Sequence, residues 1–291
     1  MQKAIMGIDI SMDDFHVCFK VKTTSGEVKI KGSRSFRNSM KGFEEFLAWS
    51  DKKKKEAPLR FVMEATGVYH ENLACFLYEN EQAVSVVLAN KMKNYIKSLN
   101  QKTKTDKADA KAIAGFGTER TLVDWEPMSP EYKEIRDFCR ELLSQKKDKQ
   151  RAKSQLHAFK KSHKKSSDII ALKEKQIELT EKNMILLKKE IHKCVNKDKA
   201  LKKKIKKIET IPGLAFETAV ILVCETNGFA LFDNIRQIVS YAGLDISFNQ
   251  SGNHNGKTRI SKKGNSRIRQ ALYMPALTAT RCNDPIKELL R

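Results

Sequence analysis

Apolar and polar positions sort the chain into segments of three kinds. Residues 4–10 (AIMGIDI) form a short apolar run ending in acid and isoleucine, the pattern of a buried strand. Phe15, Val17, Phe19 and Val21 alternate with their neighbours, and the alternation resumes from Val28. A three-stranded antiparallel meander is predicted, with turns at 12–14 and at Ser25-Gly26. Phe43, Phe46 and Leu47 give residues 40–49 helical spacing. A strand follows at 59–63 (LRFVM), a helix at 68–78, a strand at 84–88 and a helix at 90–99. After the polar stretch QKTKT, a further helix is predicted over 106–117.

The middle of the chain has a different pattern. Beyond Trp125-Glu126-Pro127 and Ser129-Pro130, no Pro or Gly occurs until Pro212, which predicts long helices. A heptad fits, with first core positions Ile170, Ile177, Met184, Ile191, Asp198 and Ile205. Its second core positions are Lys173, Thr180, Leu187, Cys194, Leu201 and Ile208. Most of the twelve are apolar, the seam of a coiled coil. A turn near 163–168 (HKKSSD) would divide two arms, 130–162 and 168–209. The third part opens with Ile211-Pro212-Gly213 and an apolar helix, read as a helix-hairpin-helix turn able to offer backbone amides to a phosphate, or equally as a plain corner between helices. Ala215 stands where such turns often have a second Gly.

The order of elements in the first part, βββαβαβα, is that of an RNase H-like fold. The expected architecture is therefore α/β plus α. It comprises an RNase H-like domain over 1–125, a long basic coiled-coil middle over 126–209 and a mainly helical domain over 210–291. The chain has 291 residues, enough for more than one core. No apolar run reaches the roughly 18 residues of a membrane span. The start, MQKAIMGIDIS, is too short and too soon acidic for a signal peptide. The six cysteines lie too far apart for a zinc knuckle or redox motif and are read as reduced, mostly buried thiols.

Charge narrows the partner. The net charge is +21, from 56 Lys+Arg and 35 Asp+Glu. Residues 1–140 carry +4, residues 141–210 carry +13 and residues 211–291 carry +4. Such an excess points to a polyanion, nucleic acid before membrane, held by salt-sensitive backbone contacts. From Ile246 to Asn283 there is no acid, while Lys257, Arg259, Lys262, Lys263, Arg267, Arg269 and Arg281 crowd a Gly- and Ser-rich stretch. That chemistry suits a sugar-phosphate chain and a serine nucleophile drawn from Ser247, Ser251, Ser261 and Ser266.

The conspicuous acids lie in the first part. Asp9 closes the first strand, Glu64 closes LRFVM, and Asp106 and Asp109 share one helix face. Each alone could be a cap or a solvated helix charge. Together, four carboxylates repel unless cations neutralise them, and hard oxygen ligands select Mg²⁺ or Mn²⁺. Two such ions roughly 4 Å apart can serve phosphodiester chemistry.

The order of motifs resembles that of the IS-one-ten family of insertion-sequence transposases. The residues that carry the resemblance are GIDIS at 7–11, MEATGVY at 63–69, KTDKADAKAIA at 104–114, IPG at 211–213, YAGLDIS at 241–247, QSG at 250–252 and ISKKGNSRIRQAL at 260–272. Pilin-gene inverting recombinases are similar. The resemblance implies a RuvC-like domain whose metal-binding tetrad is Asp9, Glu64, Asp106 and Asp109. It implies a transposase domain in which Ser251 is the nucleophile, joined transiently to DNA as a phosphoserine and acting with the tetrad. The cation would be Mg²⁺ or Mn²⁺, and Lys257, Arg259, Lys262, Lys263, Arg267 and Arg269 would hold nucleic acid. Donor and target DNA, a structured guide RNA (the bridge RNA) and assembly into homodimers or homotetramers follow from the same resemblance. So does a cytoplasmic, nucleoid-associated place in a prokaryote. Such relatives continue past RCNDP with a basic helical tail, so an ending at Arg291 implies a shortened last domain. Three alternatives differ in chemistry: a junction nuclease needing only the carboxylates, an inactive nucleic-acid-binding remnant, and, ranked last, an actin-like ATPase suggested by GIDIS.

Overall fold

The computed structural model describes residues 3–53, 58–100, 104–230, 232–252 and 254–289. The chain divides into two compact units, 1–127 and 128–291.

In the first unit, β1 (Lys3–Ile10), β2 (Asp14–Lys22) and β3 (Val28–Arg37) form the expected antiparallel meander. β4 (Leu59–Glu64) pairs parallel to β1, and β5 (Ala83–Val87) pairs parallel to β4. The sheet order is β3-β2-β1-β4-β5. Helices α1 (Met40–Asp51), α2 (Glu71–Glu79), α3 (Ala89–Ser98) and α4 (Asp106–Glu119) complete the unit. Thus α2 begins three residues later than its apolar pattern predicts, because residues 66–70 form turns.

Strand alternation divides the sheet into two faces. Met6, Ile8, Phe15, Phe61 and Met63 point into one core with Phe36, Phe43, Phe46, Leu73 and Leu77, rings packing on rings. Ile5, Cys18 and Val62 point the other way, onto Ala110, Ile113 and Ala114 of α4. Gly7 lies on that second face. A Cβ there would collide with the backbone nitrogen of Ala114 and the carbonyl of Ala110, so the bare glycine lets α4 lie directly on β1.

In the second unit, α5 (Pro130–Lys161) and α6 (Ser167–Lys197) form a helical hairpin, with Ser129 and Ser166 capping their starts. The arm expected to run unbroken to 209 is interrupted at Asp198. Its carboxylate accepts from the backbone N–H groups of Ala200 and Leu201, so this polar heptad position caps a new helix, α7 (Lys199–Glu209). All twelve fitted heptad positions are buried or half-buried. The other helices are α8 (Phe216–Glu225), α9 (Ile235–Ala242), α10 (Ser266–Cys282) and α11 (Asp284–Leu289). Ile135, Cys139, Leu142, Ile191, Cys194, Leu201, Ile205, Val220 and Cys224 share one core, so the expected division at 209/210 runs through common packing. The Ile211-Pro212-Gly213 turn packs under α10, with Gly213 against the Pro275 carbonyl and Ala279. All six cysteines are free thiols, and Cys18, Cys139, Cys194 and Cys224 are buried. Among the described residues no helix is long and apolar enough to cross a membrane.

Candidate active site

The alternation that builds the sheet also gathers the acids. Asp9 follows Ile5 and Gly7 on the α4 face of β1, and Glu64 follows Val62 on the same face of β4. Ile8 pairs with Met63, so the two carboxylates stand on neighbouring strand ends. Thr105 caps α4 by accepting from the Ala108 N–H, which places Asp106 and Asp109 in the helix's first turn, where its dipole favours negative charge. All four line one cleft of about 840 Å³, with His16, Lys93, Lys97 and Lys104 on its walls.

The electrostatics report the same convergence. Burial, then the charges of Asp109, Asp106 and Glu64, lift the Asp9 carboxyl from its ordinary 3.8 to about 7, against a lowering pull from Lys104. Burial and the Asp109 charge also push Glu64 upward. Among the described residues, no three side chains able to ligate a metal are gathered tightly around one point. The donor chemistry of the four acids is oxygen throughout, which fits Mg²⁺ or Mn²⁺ and not a softer metal.

The Gly- and Ser-rich stretch is a narrow β-hairpin. β6 (Ile246–Ser247) pairs with β9 (Arg259–Ile260), and β7 (Gln250–Ser251) pairs with β8 (His254–Asn255). Gly256 N–H donates to the Asn249 carbonyl between the two ladders. The four serines now separate. Ser261 Oγ is engaged, donating to Asp245 Oδ1 at 2.6 Å. Ser266 opens α10 behind its cap, Asn265, and Ser247 sits at the hairpin's base opposite Arg259. Ser251 stands exposed at the tip. Of the basic residues, Lys257, Arg259, Lys262, Lys263 and Arg267 are exposed. Arg269 is half-buried and donates to the Ala242 carbonyl at 2.6 Å, holding the end of α9.

A family model for the DEDD transposase domain of the IS110 group matches residues 6–164, more than half of the chain. A second, described as Transposase IS116/IS110/IS902 family, matches residues 205–291. The chain belongs to the IS110 family of transposases. Pilin gene-inverting proteins of Moraxella bovis and Moraxella lacunata are each 27% identical over 279 residues, covering 95% of this chain and 83% of theirs. A solved structure of Thermus thermophilus RuvC is matched over 100% of its length and 43% of this chain, at 12% identity and a TM-score of 0.32.

Several residues beside the acid cleft and the serine hairpin carried no clear signal in the sequence. His16 pairs directly opposite Asp9 in the β1–β2 register, and its Nδ1 lies 3.8 Å from Asp106 Oδ2. Its signal was the alternation in β2, which sets His16 on the Asp9 face once the register is known. Lys93 and Lys97 are four apart on α3, so both turn toward the cleft. In the second unit, Glu225 is 3% exposed and is held by Arg140 through two hydrogen bonds of 2.7 and 2.9 Å and by Asn265 Nδ2 at 2.7 Å. These partners hold its carboxyl below the usual range despite burial. Asn265 in turn caps α10 and donates its backbone N–H to the Tyr241 carbonyl, so this network ties the start of α10 to the end of α9.

Proposed function

We propose that this transposase cuts and rejoins DNA with a carboxylate tetrad of Asp9, Glu64, Asp106 and Asp109 and with Ser251 as nucleophile. The observation that carries the reading is the convergence of four acids, distant in sequence, in one cleft where burial and the other three raise Asp9. Bound there, Mg²⁺ or Mn²⁺ would supply charge neutralisation and activation at a phosphodiester. Lys93, Lys97 and Lys104 line the same cleft and can hold phosphates beside it.

Ser251 is the one of the four candidate serines that is both exposed at the hairpin tip and free of a structural hydrogen bond to an acid. Lys257 and Arg259 lie on the same hairpin, nearer its base, and the exposed ring of Phe248 offers a stacking platform for a base. Lys262, Lys263 and Arg267 extend the positive surface along the loop into α10. Donor and target DNA are the proposed substrates. The +13 over residues 141–210 supports a further polyanion on the helical hairpin, for which a structured guide RNA is the proposed occupant.

A second copy of the chain is the proposed assembly partner. Leu172, Leu179 and Leu186 recur every seven residues on α6 and are 65%, 61% and 61% exposed, an apolar stripe separate from the seam facing α5.

Ser251→Ala is expected to abolish a covalent protein–DNA adduct, trapped by denaturation after reaction, while leaving DNA binding intact. An adduct formed by that variant would contradict the serine assignment. Sequencing RNA that co-purifies with the protein tests the guide: one structured species supports it, and RNA of random sequence counts against it.

A further inference from the structure

The hairpin tip places one side chain opposite Ser251. The β7–β8 ladder pairs Gln250 with Asn255 and Ser251 with His254. Residues directly opposite in an antiparallel pair project to the same face, with Cβ atoms roughly 5 Å apart. Gly252, the first residue of the connection, adopts φ 54°, the left-handed conformation that a two-residue hairpin turn requires there. The register thus sets Ser251 and His254 on the same face of the hairpin tip.

No Asp or Glu occurs between Ile246 and Asn283, and the nearby charged groups, Lys257 and Arg259, are cations. A serine hydroxyl is a weak nucleophile until a base takes its proton. His254 is the neutral-pH base that this hairpin carries.

We propose that His254 is a catalytic residue, the proton acceptor for Ser251. This rests on the reading of Ser251 as nucleophile. An imidazole nitrogen of His254 takes the Oγ proton as the Oγ–phosphorus bond forms. The bond from phosphorus to the leaving sugar oxygen breaks, and its electron pair goes to that oxygen, which is protonated by water. The exposed imidazolium keeps or exchanges its proton with solvent. In rejoining, a strand hydroxyl attacks the phosphoserine, gives up its proton to water, and Oγ leaves with the proton returned by His254.

The test measures the rate of covalent adduct formation on DNA by the full chain with its co-purified nucleic acid. Wild type is compared with Ser251→Ala, His254→Ala and His254→Gln, all checked for wild-type circular dichroism and DNA affinity. Both His254 variants are expected to form adduct about 10²-fold more slowly. Imidazole added to the buffer is expected to restore part of the rate to His254→Ala and none to Ser251→Ala. An unchanged rate in the His254 variants, or a loss that imidazole does not relieve, overturns the proposal while Ser251→Ala still shows the serine to be needed. Adduct persisting in Ser251→Ala instead overturns the serine reading, and the role of His254 with it.

Discussion

Asp9 stores an electrostatic conflict in the first unit. Its carboxyl is lifted from 3.8 to about 7 by burial and three neighbouring acids. Between those values the folded chain keeps a proton that the unfolded chain has released. Stability therefore falls as pH rises through that window and levels off above it. Asp9→Asn removes the conflict, so the variant is expected to melt several degrees above wild type at pH 8 and to lose that advantage near pH 4. Thermal denaturation at the two pH values measures this. Mg²⁺ at millimolar concentration is expected to raise the wild-type melting temperature at pH 8 and to raise that of Asp9→Asn less, because ligand linkage follows the affinity of the folded site. Asp9 and Glu64 were legible in the sequence because an acid ending an apolar strand is out of place in a core. His16 was not, since its place beside Asp106 depends on a register that alternation alone does not supply.

Among the elements, α4 and the serine hairpin carry the proposed chemistry, and each depends on a particular contact. Gly7→Ala forces β1 and α4 apart at the collision with Ala110 and Ala114. That shift moves Asp106 and Asp109 away from Asp9. The variant is expected to lose at least tenfold in Mn²⁺ affinity by calorimetry, beyond its loss of stability. In the second unit, Arg140→Ala leaves the Glu225 carboxylate buried with Asn265 as its remaining side-chain partner. A broken buried pair costs about 3–5 kcal/mol, which urea denaturation would read as an earlier midpoint. Glu225 is held below its ordinary value, so its contribution is present at neutral pH and is lost as pH falls into the acid range. The strands and helices of the first unit were readable because period-2 and period-3.6 patterns there are clean. The hairpin of 246–260 was not, because its two-residue ladders are too short for a pattern and its Gly and Ser content reads as loop. The break at Asp198 escaped for a related reason: one acid in a long Lys-rich helix looks solvated until its carboxylate is seen capping the next helix.

For the whole molecule, the proposed function rests on charge distribution and on the proposed assembly. The sequence placed its largest excess on the helical middle, and the structure gives those lysines a two-helix hairpin with an outward apolar stripe. Replacing Leu172, Leu179 and Leu186 together by Glu is expected to reduce the mass measured by light scattering to that of one 33.2 kDa chain. These positions are exposed, so helix content should hold, and an unchanged mass would place the assembly surface elsewhere. The tetrad is tested by strand cleavage of DNA ends, in Mg²⁺, by wild type and by Asp9→Asn with equal nucleic-acid binding. The variant, though more stable at pH 8, is expected to lose cleavage by at least 10²-fold; cleavage at the wild-type rate would contradict a metal-binding role for these acids.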